Sequence, residues 1–260
     1  MTVVKAVLID IDGVLTISWR PIPGAVDALS RLRDRDRAIA LVTNTTSHTR
    51  SWLARTLADA GFSVRPDDIV TAPTVTASYL ASRYPGARCA LLNSGDIRED
   101  LPGVELVEDD PDVVIVGGAG PEFGYEALNR AFAHLLGGAR LVAIARNLYW
   151  RTDEGLRLDG GAFLIGLEQA AGVEAEVVGK PSPTFFTAAL GALGVSPTES
   201  VMVGDDVQAD VLAAQRCGIG GILVRTGKYL PRAHELADPP PDHVIDSFAD
   251  LPELLDALEA

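Results

Sequence analysis

Cysteine and lysine are the scarcest chemically versatile residues in this sequence. Two cysteines, Cys89 and Cys217, stand far apart in 260 residues. They form neither a metal-type cluster nor a disulfide framework, and both read as small buried hydrophobes in a reducing compartment. Positive charge is also short, with 22 basic against 36 acidic residues and a net charge of −14. That removes the basic footprint a nucleic-acid surface needs. No apolar run approaches a bilayer span, and the start shows no basic segment followed by an apolar one. The expectation is a soluble, cytoplasmic protein with no nucleic-acid or membrane partner. Only Lys5, Lys180 and Lys228 are lysines. Where arginine serves nearly everywhere else, a lysine inside a motif carries information.

Two phosphate-binding signatures are missing as well. The pairs Gly117-Gly118, Gly137-Gly138 and Gly160-Gly161 assemble no dinucleotide fingerprint. Gly179-Lys180 lacks the upstream glycine of a phosphate loop and is followed by Pro181 where Ser or Thr is required.

What is present is a long alternation of strand and helix patterns, with 47% hydrophobic residues to fill one large core or two modest ones. Val3 to Ile9 is an apolar run suited to a strand buried on both faces of a parallel sheet. It runs into Asp10-Ile11-Asp12-Gly13-Val14-Leu15-Thr16. Open α/β sheets place their chemistry at the carboxyl ends of strands. In an extended chain Asp10 and Asp12 point the same way, and Gly13 lets the backbone turn off sharply. Two adjacent carboxylates repel unless a cation joins them, so a divalent metal is the first expectation. A calcium loop of the EF-hand type fails on spacing, because its twelfth position is Pro21 rather than Glu.

Further strands end in polar residues. Ala38 to Val42 leads into Thr43-Asn44-Thr45-Thr46-Ser47, and Ala175 to Val178 into Gly179-Lys180-Pro181. Val201 to Val203 leads into Gly204-Asp205-Asp206-Val207-Gln208-Ala209-Asp210. Helical spacing is expected around Val26 to Leu32, Leu53 to Ala60, Phe123 to Leu136, Ala162 to Ala171 and Val207 to Cys217. A hairpin is expected over Trp150 to Leu158, turning at Asp153-Glu154-Gly155. The middle third alternates strand and helix but offers no compelling catalytic cluster, which marks it as a separate domain.

The four clusters in this order resemble the haloacid dehalogenase superfamily of phosphohydrolases. The large insertion between Asn44 and Lys180 resembles the α/β cap of its type IIA branch, which includes the NagD-like and p-nitrophenylphosphatase-like enzymes. Ala175 to Phe186, Val203 to Val207, Ala214 to Gly218 and Arg225-Thr226-Gly227-Lys228 carry the similarity through the second half.

The resemblance implies an α/β fold: a Rossmann-like parallel-sheet core from 1–73 and 177–260, with an inserted type C2 cap from 74–176. It implies a magnesium-dependent phosphatase acting on a small phosphorylated substrate through an aspartyl-phosphate. Asp10 would be the nucleophile and Asp12 the acid and base. Magnesium would be held by the Asp10 carboxylate, the Asp12 main-chain carbonyl and Asp205, with Asp210 supporting from behind. Thr43, Asn44 and Lys180 would bind phosphate. Asp206 is left between the metal's surroundings and a helix cap. Asn147, Tyr149 and Asp159 to Gly161 are candidates to meet the leaving group, and a homodimer through the cap is left open. Phosphoryl transfer to a second alcohol, or phosphate binding without catalysis, are the alternative functions.

Overall fold

A computed structural model describes residues 4–35, 37–152 and 155–259. The chain divides into two compact units. One comprises Met1–Thr43, Arg50–Val70 and Lys180–Ala260; the other comprises Asn44–Thr49 and Thr71–Gly179. The inserted unit thus takes in a few residues beyond 74–176 at each end, together with the short segment 44–49.

The first unit is built on a six-stranded sheet. Ala6–Asp10 lies at its centre and every residue of it is buried. On one side it pairs in parallel with Ala38–Thr43, with Asp10 beside Val42; on the other it pairs in parallel with Ser200–Gly204, with Ile9 beside Val203. Gly220–Val224 and His243–Ile245 continue the parallel order outward, and Ile69–Thr71 lies at the opposite edge. Chain order therefore reverses about Ala6–Asp10. Such a switch point opens a crevice at the carboxyl ends of the neighbouring strands, where Asp10, Thr43 and Asp205 all emerge.

Helices cover this sheet through apolar stripes at helical spacing. Ala25–Arg33 buries Ala25, Ala28, Leu29 and Leu32, and Arg50–Asp59 buries Leu53, Ala54 and Leu57. Both join Val7, Ile9, Leu41 and Phe248 in one core. Pro183–Leu193, the helix after Lys180, buries Phe185 and Phe186.

The helix expected over Val207 to Cys217 differs in kind. It opens as a wide π-helical turn, Val207–Leu212, and becomes α-helical only over Ala213–Arg216. The Asp206 carbonyl accepts from both Asp210 (3.0 Å) and Val211 (3.4 Å). Gly204 permits this, since a Cβ there would run into the Asp210 side chain. Such bulges cost helical hydrogen-bond geometry and recur where a side chain is aimed at a site.

The second unit has a five-stranded parallel sheet in the order Glu176–Val177, Arg140–Ala143, Val113–Val116, Arg88–Leu92, Glu105–Leu106. Tyr125–Leu136 and Gly160–Ala171 pack on it through Leu135, Leu164 and Leu167, against Val114, Val116 and Leu141. Its polar ties are specific. Arg146 grips Glu168 with two bonds, of 2.8 and 2.6 Å, and the hydroxyls of Tyr79 and Tyr84 both donate to Glu176. The expected hairpin forms from Tyr149–Thr152 and Gly155–Leu158; Asp153 and Glu154 lie outside the described residues. The segment after Val70, left unassigned from sequence, is the helix Ala72–Arg83, capped by Thr71 and Thr74 in a reciprocal box.

Candidate active site

Asp10 ends the central strand with 7% of its surface exposed, and Lys180, Asp205 and Asp210 around it are more deeply buried still. The Lys180 Nζ donates to Asp10 Oδ1 at 2.5 Å and lies 2.7 Å from Asp210 Oδ1. Burial would strip Lys180 of its proton, but the Asp10 and Asp210 carboxylates outweigh it and push the pKa above the ordinary lysine value. Lys180 is thus a permanent cation, reaching two of the three buried carboxylates by direct bonds.

The third carboxylate is served differently. Asp205 Oδ2 accepts from the Lys228 main-chain N–H at 2.6 Å, while Asp205 Oδ1 is buried without a hydrogen-bond partner. Carboxylate oxygens of Asp10, Asp205 and Asp210 all lie within 4.8 Å of one another. Burial, then the charges of Asp10 and Asp210, push Asp205 up to about 8. Asp210 is pushed up to about 6 by burial, with Lys180 pulling it down and Asp10 opposing. A buried carboxylate oxygen with no donor, among carboxylates that repel each other, fits a hard divalent cation such as magnesium.

Asp12 is placed otherwise. Its side chain is exposed and stands outside that carboxylate group. The surrounding chain pushes its carboxyl above the ordinary value, and Lys228 pulls it back. Gly13 follows with φ +90°, and its N–H donates to the Thr16 carbonyl at 2.6 Å. That bond fixes the Asp12–Gly13 peptide plane and hence the direction of the Asp12 carbonyl.

Thr43 is buried at the end of its strand. Asn44 begins the segment that belongs to the second unit, where its Oδ1 lies beside Gly179. Asp206, left open from sequence, is a helix cap: its Oδ1 accepts from the N–H groups of Gln208 and Ala209, both at 3.0 Å. Asp159 is also committed. Its Oδ1 accepts from Gly160 N–H at 2.7 Å and from Ala119 N–H at 3.0 Å, stapling a strand-end loop to the start of Gly160–Ala171. Asn147 and Tyr149 remain exposed.

Sequence reasoning gave no role to Thr226-Gly227-Lys228, the loop after Gly220–Val224. Lys228 is exposed at its side chain, yet Asp10, Asp205 and Asp210 together overcome its desolvation and raise its pKa. The available signal was scarcity, because Lys228 is one of three lysines.

Comparison with known proteins fits this geometry. Residues 7–106 match the family described as haloacid dehalogenase-like hydrolase, and residues 177–251 match the HAD-hydrolase-like family. The chain belongs to the haloacid dehalogenase-like hydrolases. It is 41% identical over 244 residues to the human haloacid dehalogenase-like hydrolase domain-containing protein 2, covering 94% of this chain and 93% of that one. It is 38% identical over 260 residues to the phospholysine phosphohistidine inorganic pyrophosphate phosphatase of Xenopus laevis, covering 97% and 94%. Among solved structures, a p-nitrophenyl phosphatase from Archaeoglobus fulgidus superimposes with a TM-score of 0.90 at 29% identity, covering 97% of this chain and 99% of that one.

The raised Asp205 gives a measurable consequence. Held above the ordinary carboxylate value by burial and by Asp10 and Asp210, Asp205 keeps its proton to higher pH than a free aspartate, and a bound cation competes with that proton. Magnesium binding should release protons, and affinity should rise with pH through the Asp205 titration and then level off. Calorimetry in buffers of different ionisation enthalpy measures this. Binding without proton release would contradict the assignment.

Proposed function

We propose that this chain is a magnesium-dependent phosphatase that cleaves phosphate from a small molecule through an aspartyl-phosphate at Asp10. The carrying observation is the Lys180 ammonium bonded to Asp10 Oδ1 beside the buried carboxylates of Asp205 and Asp210. Phosphoryl transfer depends chiefly on positioning and on neutralising charge. Lys180 pairs with Asp10 Oδ1 and leaves the second oxygen of Asp10 to attack phosphorus in line with the leaving group. Asp12, exposed and held above the ordinary carboxylate value, gives a proton to the leaving oxygen. It then takes one from the water that opens the aspartyl-phosphate, restoring Asp10 and releasing inorganic phosphate.

Asp10, Asp205 and the Asp12 main-chain carbonyl would hold magnesium, which when bound neutralises phosphate charge and offsets the repulsion among the aspartates. Asp210 sets the position of Lys180. Thr43 and Asn44 would donate to the phosphoryl oxygens, and Lys180 would add its charge there. The inserted unit serves in this reading as a cap that selects the leaving group, with Asn147 and Tyr149 as its contacts. Its chain leaves the first unit after Thr43 for the short segment Asn44–Thr49 and again after Val70, and returns at Lys180, so two of its junctions adjoin residues assigned here to phosphate binding.

The phosphatase reading is tested by magnesium-dependent turnover of p-nitrophenyl phosphate. Asp10→Asn should lose at least about a thousandfold in kcat while keeping the fold. Asp12→Ala should lose about a hundredfold or more in rate with little change in magnesium requirement. Asp205→Ala should instead raise the magnesium needed by about tenfold or more. Equal effects of the last two changes in a magnesium titration would refute the division of labour.

The same reading has two copies meeting through the cap. Tyr149 pairs across the hairpin with Leu158, and Leu156 shares that face by strand alternation. All three are more than half exposed. An apolar two-stranded hairpin left in water is marginal and gains from being covered. Sedimentation should show a dimer for the parent chain and a monomer for Leu156→Asp/Leu158→Asp; a monomeric parent would overturn this assembly.

A further inference from the structure

The loop Thr226-Gly227-Lys228 touches both main-chain and side-chain parts of the site. Thr226 Oγ1 donates to the Gly13 carbonyl at 2.5 Å, and the Lys228 N–H donates to Asp205 Oδ2 at 2.6 Å. Gly13 is therefore held at both ends, its N–H by the Thr16 carbonyl and its C=O by Thr226. Between the two bonds, Gly227 lies directly against Gly13. A Cβ on Gly13 would stand 3.0 Å from the Gly227 Cα, and a Cβ on either glycine would collide with the Asp205 carboxylate. Both glycines have positive φ, +90° and +59°, where a side chain is strained in any case. The fit leaves room only for hydrogen on both faces.

We propose that Thr226 and Gly227 are positioning residues that clasp the Asp12–Gly13 main chain to Asp205 and so set the spacing of two magnesium ligands. The inference rests on the metal reading above. The two ligands come from distant parts of the sequence, and the pairing of their strands ends at Ile9 beside Val203, short of Asp12 and Asp205. The loop ties the two together beyond that point by bonding Gly13, next to the first ligand, and Asp205, the second, at once. It also orients Asp205, because occupying Oδ2 leaves Oδ1, the oxygen without a partner, as the one to face a cation. Such supporting bonds typically govern metal affinity by 10–100-fold.

Thr226→Val removes the hydroxyl donor while keeping the shape, and Thr226→Ser keeps the donor. The measurements are calorimetric magnesium affinity without substrate and the rise in melting temperature on adding magnesium chloride. Thr226→Val should weaken magnesium binding by about tenfold and shrink that rise, while Thr226→Ser should stay within about threefold of the parent. In p-nitrophenyl phosphate turnover the valine chain should need more magnesium, with most of its kcat regained at saturation. Should the valine chain not fold, Thr226→Ala carries the same prediction with no added methyl group to pack. A folded Thr226→Val or Thr226→Ala chain that binds magnesium like the parent would overturn the clasp alone. A parent chain that binds no magnesium would overturn the metal reading and the clasp with it.

Discussion

The contact between Lys180 and Asp10 is the constraint on which the rest depends. Asp10 is almost wholly buried at the end of its strand, where a carboxylate has little water to solvate it. One ammonium 2.5 Å away serves it instead. The solution brings further requirements. Lys180 is itself desolvated and needs Asp210 as a second partner, and Asp210 reaches it from a π-helical turn packed closely over Gly204. Asp205, third in the cluster, receives no lysine side chain but a backbone N–H. Three buried aspartates share one buried lysine side chain, and a divalent cation would offset the repulsion among them.

Strand order explains how residues nearly two hundred positions apart meet. Ala6–Asp10 lies between Ala38–Thr43 and Ser200–Gly204 in a parallel sheet. Their carboxyl ends therefore point to the same edge, and Lys180 enters just before the helix Pro183–Leu193. The inserted unit interrupts none of these pairings, because its four junctions, after Thr43, Thr49, Val70 and Gly179, all fall at or beyond the ends of the paired strands. A large insertion there leaves the core sheet intact.

Much of this was legible in the sequence, for a definite reason. Buried parallel strands are written as short apolar runs, and the polar residues that follow them stand out; Asp10, Thr43, Lys180 and Asp205 were all singled out in that way, and the structure brings Lys180 and Asp205 to Asp10. Asp206 and Asp159 show the limit of the method. A carboxylate at a helix start reads the same whether it caps the helix or serves a ligand, and only hydrogen-bond geometry separates the two. The π-helical turn was hidden because its apolar spacing resembles an α-helix over so short a span. Thr226-Gly227-Lys228 carried the resemblance but was given no role, because apart from the scarcity of lysine its contribution runs through one hydroxyl, one backbone N–H and the lack of side chains, which leave no periodic pattern.

The covalent role of Asp10 is the claim from which the mechanism follows. It can be examined by quenching turnover of a good substrate in acid, reducing the trapped acyl phosphate with borohydride and mapping the modified peptide by mass spectrometry. The account predicts that Asp10 alone is converted to homoserine, only when both magnesium and substrate were present. Reduction at Asp12, Asp205 or Asp210 instead, or no reduced residue under conditions of rapid turnover, would contradict it.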